Sequence, residues 1–121
     1  MSGTLSRTKG HSFERDIAID FQELGWTDAR RQLEYHIKDA LGVDLQGTEP
    51  FAVQCKRGRQ YAPITAIEEI MQRVWIHDSG GVIKIETVPL LITKADRKPT
   101  MAVLPWVELK KLLKMAYPKK P

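Results

Sequence analysis

Four polar residues in the first half of the chain have the types and spacing to act on a phosphate ester. Asp44 stands between the apolar Val43 and Leu45, and Gln54 and Lys56 stand two apart in the run Phe51-Ala52-Val53-Gln54-Cys55-Lys56. Strand side chains alternate, so Gln54 and Lys56 share one face and Phe51, Val53 and Cys55 the other. If residues 42–45 pair with this strand through the turn at Gly47–Pro50, Asp44 lies beside Gln54. An aspartate oxygen and an amide oxygen then share a hard cation such as Mg²⁺. A lysine beside that cation holds a water or the charge building on a phosphate. The competing reading makes Asp44 a turn residue and Lys56 a solvated strand residue.

Glu14 is the fourth. It precedes Ile17 and Ala18 by three and four residues and Phe21 by seven, which sets it close to the apolar stripe of a helix. A carboxylate aimed at a core edge is costly unless a cation or donor meets it. Pairing with Arg15 or another arginine is the alternative. Lys56, Arg57 and Arg59 adjoin these residues, Arg7 and Lys9 precede the helix, and Arg30 and Arg31 follow it. Such side chains contact phosphates on either side of a metal site, or are ordinary surface charges. Tyr35 and Tyr61 are stacking candidates or rim residues. The three histidines lack metal-ligand spacing, and one cysteine builds neither a disulfide framework nor a zinc site. Cys55 reads as a small buried hydrophobe.

The elements that must position this set follow from periodicity. Phe13, Ile17, Phe21 and Leu24 recur at i, i+4, i+8 and i+11, a helix face that Gly25 ends. Residues 27–33 form a poor strand pattern, and 34–40 read as loop. Strands are expected at 42–45 and 51–56, and a helix opens at Pro63 and stops at Ser79-Gly80-Gly81. Its apolar positions are Ile64, Ile67, Met71, Val74 and Trp75. Strands follow at 88–93 and 101–104. Pro105 starts a last helix with Trp106, Leu109, Leu112 and Leu113 inward. The expected fold is α/β: a small central sheet with helices on both faces.

At 121 residues the chain makes one domain, with residues 1–8 and 116–121 expected as flexible tails. Its 42% hydrophobic and 28% charged residues are those of a soluble globular protein. No apolar run reaches the roughly 20 residues of a membrane span, and the N-terminus does not read as a signal peptide. An intracellular, cytoplasmic setting is therefore expected. Five lysines in residues 110–121 carry the basic excess, and the other 109 residues hold 14 basic and 15 acidic side chains. That tail reads as a mobile phosphate-contacting arm, and the local run Lys56-Arg57-Gly58-Arg59 argues more for DNA than the net charge of +4 does.

Taken in order, the motifs resemble a family. "KGHSFERDIAIDFQELGW" is similar to the first helix of archaeal and phage Holliday junction resolvases, nucleases of the PD-(D/E)xK superfamily. "GVDL" and "FAVQCKRGR" resemble its metal-binding strands, and the Gln-Cys-Lys-Arg string resembles the motif of Mrr-type restriction endonucleases. The resemblance runs from about Lys9 to the second helix. It implies a restriction-endonuclease-like fold with Asp44 as central metal ligand, Gln54 in place of the second acid and Lys56 near the attacking water. Glu14 matches the helix glutamate, and Cys55 would offer its backbone carbonyl to the metal. It implies Mg²⁺, with Mn²⁺ substituting, a homodimer, four-way DNA junctions as substrate, and 5′-phosphate and 3′-hydroxyl products. DNA contacts fall to Arg7, Lys9, Arg15, Arg30, Arg31, Arg57 and Arg59. The sequence departs from the pattern at Val43, where a proline is usual, at Gln54, and in lacking a serine in residues 34–41. Nuclease action on ordinary duplex and DNA binding without cleavage are the alternatives.

Overall fold

The computed structural model describes residues 2–32, 43–58, 63–80 and 87–118. The elements run α1 (Ser2–Leu24), β1 (Arg30–Arg31), β2 (Leu45–Gln46), β3 (Phe51–Arg57), α2 (Pro63–Gly80), β4 (Val88–Lys94), β5 (Met101–Val103) and α3 (Trp106–Ala116). Strands β3, β4 and β5 form one mixed sheet in that order, and β1 and β2 form a short antiparallel pair. β3 and β4 are parallel, in the register Gln54↔Leu91 and Lys56↔Thr93. Parallel neighbours require a crossover, which α2 supplies.

Helices cover both faces, as the periodicity predicts. On one face Phe13, Ile17, Ala18 and Phe21 of α1 pack on Val53 and Leu90, with Phe51, Cys55 and Ile92 at the margin. On the other, Ile70 meets Ala52, and Ala66 and Ile67 meet Leu91. Period-two alternation in β3 and β4 is what divides these residues between the two layers.

The end of α1 shows how the sequence sets a turn. Gly25 has φ +121°, a conformation that side chains with a Cβ rarely adopt. The Gly25 N–H donates to the Gln22 carbonyl at 3.1 Å and the Trp26 N–H to the Phe21 carbonyl at 3.0 Å. This is the Schellman pattern, with its usual apolar contact between Trp26 and Phe21, here an edge-on ring pair at 5.4 Å. Trp26 also stacks edge-on against Phe51 at 5.9 Å and donates its indole N–H to the Glu49 carbonyl at 2.7 Å. Gln22 donates to the Ala29 carbonyl at 2.8 Å. The loop after α1 is thereby fixed to the start of β3.

Three differences from the sequence expectation have physical causes. α1 begins at Ser2, about three turns before its apolar face, so residues 2–8 are helical here. Extending an existing helix is cheap, and Ser2–Lys9 contains no proline. The second strand is Leu45–Gln46 and pairs with β1, leaving Asp44 just before it. In α3, Leu109 and Leu112 are half-buried but Trp106 and Leu113 are exposed, against the expectation that all four point inward. No described element packs broadly on α3, so its stripe is only partly covered. The loop expected at 34–40, Tyr35, Arg59, Tyr61, Gly81 and the final residues 119–121 lie outside the described residues.

Candidate active site

β3 is the outer strand of its sheet, and Asp44 occupies its open edge. The Asp44 N–H donates to the Val53 carbonyl at 2.8 Å, and the Cys55 N–H donates to Asp44 Oδ2 at 2.7 Å. The Asp44 carbonyl accepts from the Gln32 N–H at 2.7 Å. Backbone on both sides thus holds the carboxylate on the Cys55 N–H.

Glu14 comes to the same place from α1. Its side chain retains only 15% of its exposure. Burial, then the neighbouring Asp44 charge, pushes its pKa up to about 7, against the pull of Arg31 and Arg15. Asp44 is also raised, by burial, against the Cys55 N–H and the charges of Lys56 and Arg31. Burial raises the Cys55 thiol as well, with Asp44 and Glu14 adding to the effect. Two carboxylates that each resist ionisation in a shared recess are short of positive charge.

The one cation within ion-pair range of Glu14 among the described residues is Arg31, whose Nε lies 3.7 Å from Oε2. That separation is too long for a hydrogen bond, and both atoms are buried without a hydrogen-bond partner. Arg31, expected to meet DNA phosphate, therefore sits inside the carboxylate site.

Gln54 is buried at 6% exposure, and its Oε1 has no hydrogen-bond partner. It projects from the α2 side of β3, opposite Cys55, and no hydrogen bond joins it to Asp44. Lys56 shares that side and is exposed. Thr93 faces Lys56 across the parallel register, is 3% exposed, and also leaves its hydroxyl without a partner. Sequence reasoning missed Thr93. The alternation of Leu91 and Thr93 was visible, but the register that aligns Thr93 with Lys56 was not.

The other basic residues divide into groups. Arg15 is exposed beside Glu14, and Arg30 is exposed opposite Gln46 in the β1–β2 pair. Arg57 is occupied, pairing with Asp96 at 2.8 Å and donating to the Lys94 carbonyl at 3.2 Å. The Gly58 N–H reaches the same carbonyl at 3.2 Å, so this corner latches β3 to the end of β4. Arg7 and Lys9 lie on the N-terminal part of α1.

The donor set fits a hard divalent cation. Among the described residues no three His, Cys, Asp or Glu side chains cluster as a metal site. Glu14 Oε2, in an ion pair with Arg31, and Gln54 Oε1 are buried acceptors without a hydrogen-bond partner, and oxygen donors of this kind suit Mg²⁺ or Mn²⁺.

No family model, curated protein or solved structure matches this chain.

Proposed function

We propose that this chain is a Mg²⁺-dependent DNA endonuclease of the PD-(D/E)xK kind, cutting four-way junctions as a homodimer. The observation that carries the reading is the meeting of Glu14 and Asp44 at the open edge of β3, both disfavoured as anions by burial. Asp44, Glu14 and the Gln54 amide would hold the cation, with the Cys55 carbonyl as a further donor. Bound there, Mg²⁺ supplies Lewis acidity toward a phosphate oxygen and acidifies a coordinated water.

The rest belongs to the protein's own groups. The Cys55 N–H holds Asp44 Oδ2 and fixes the carboxylate in one orientation. Lys56, exposed and two residues beyond Gln54, would stabilise negative charge on the phosphate during in-line attack. Arg15 and Arg30 neutralise phosphates flanking the scissile one. Arg31 restrains Glu14 and offsets part of the carboxylate repulsion. A site reading phosphate geometry alone suits a branched substrate recognised by shape.

The test is incubation with a four-way junction, a linear duplex and a single strand, each with Mg²⁺, with Mn²⁺ and with chelator. Paired symmetric nicks in the junction, abolished by chelator, are expected. Equal cutting of the duplex overturns junction preference and favours the Mrr-type alternative. Binding without cleavage in both metals overturns the enzyme reading.

A further inference from the structure

An apolar groove of about 370 Å³ runs between α1 and the outer part of the sheet. Ile17, Phe21 and Leu24 form one wall, Leu90, Ile92 and Met101 the other, and Asp20 stands among them. Leu24 and Met101 are 72% and 57% exposed. Apolar surface of this kind on a soluble chain marks a place where something binds.

The same chain carries a matching ridge. No residue of α3 is buried. Trp106, Leu113 and Tyr117 are 62%, 40% and 77% exposed. They stand at i, i+7 and i+11 and so share one face, with Lys110 between them and Lys114 alongside. On α1, Asp16, Asp20 and Glu23 are exposed, with Asp20 in the groove lining itself. Charge and polarity therefore match: an apolar ridge bordered by lysines, and an apolar groove bordered by carboxylates. α3 does not fill the groove of its own chain, although it starts only four residues beyond the groove residue Ala102.

We propose that the occupant is a second copy of this chain, each α3 lying in the α1–β5 groove of the other. Trp106, Leu113 and Tyr117 enter the groove, and Lys110 and Lys114 face Asp16 and Asp20. α3 follows the groove strand β5 directly in the chain, and a two-fold exchange of α3 between two copies satisfies both contacts at once and closes the assembly at two chains. The eleven residues of α3 extend about 16 Å, enough for a three-turn contact repeated twice. This surface would supply the homodimer of the proposed nuclease, but its test reads mass rather than cleavage, so either can fail without the other.

The experiment is sedimentation velocity on the full chain in chelator, without DNA, up to about 100 µM, a weak-dimer ceiling. The wild type is expected at twice 13.8 kDa. Leu113→Glu on the ridge and Leu24→Glu in the groove should each weaken the dimer about 30-fold or more. Both sites are exposed, so far-UV circular dichroism should not change. Lys110→Glu should weaken association, and adding Asp20→Lys should restore it. A wild-type monomer at the highest concentration overturns the proposal, as does growth beyond two chains. A dimer that Leu113→Glu disrupts but Leu24→Glu leaves intact overturns the groove as its seat.

Discussion

Glu14→Gln should stabilise the metal-free protein at neutral to alkaline pH while removing its response to Mg²⁺. Glu14 binds its proton more tightly folded, with a pKa of about 7 against an ordinary 4.5. Its protonated form therefore favours folding fully below about pH 4.5, and that contribution is lost as pH rises to about 7. The full shift corresponds to about 3 kcal/mol, and solvent around the partly exposed group reduces it to about 1–2 kcal/mol. Glutamine keeps the shape and removes the charge, so the variant should lack this penalty. The assay is urea denaturation of wild type and variant at pH 5 and pH 8 in chelator. The variant should gain about 1–2 kcal/mol on the wild type between the two pH values. Adding Mg²⁺ at pH 8 should raise the wild-type midpoint and leave the variant's unchanged. Equal pH slopes in the two proteins would refute the burial of Glu14 in the folded chain. A Mg²⁺ response retained by the variant would refute Glu14 as part of the cation site.

Two further predictions concern the frame around the site. Gly47 has φ +77°, and a Cβ there would collide with the Asp28 backbone carbonyl, so Gly47→Ala should cost about 2 kcal/mol or more in urea denaturation. A loss below about 0.5 kcal/mol would contradict that close approach. Thr93→Val removes a buried hydroxyl without a partner at nearly constant shape and should raise stability by about 1 kcal/mol, read as a higher urea midpoint. Destabilisation would show that the hydroxyl has a partner in solution.

Much of the frame was legible because it follows from local rules. The Phe13–Leu24 stripe and Gly25 gave the end of α1, and alternation in residues 51–56 gave the two faces of β3. Asp44 beside residues 54 and 55 followed from the spacing of two short segments across a turn. What was not legible depends on partners distant in sequence. The pairing of β2 with β1 instead of the sheet, and Arg31 turning to Glu14, arise from how the loop after α1 docks through Trp26 and Gln22. The capture of Arg57 by Asp96 depends on the β3–β4 register, which no single-strand pattern encodes. Exposure of Trp106 and Leu113 depends on what packs on α3, and no described element does so broadly. A helical stripe shows which residues share a face, but not whether the same chain covers it.

The central claim is that Asp44 anchors a catalytic cation. Its most direct measurement compares wild type with Asp44→Asn on a labelled four-way junction, reading cleavage in Mg²⁺ and binding in chelator from the same preparations. Cleavage should fall by at least about 100-fold, while junction affinity stays within about threefold, because a metal ligand is lost and no phosphate-binding cation is. Cleavage by Asp44→Asn at the wild-type rate would contradict the account.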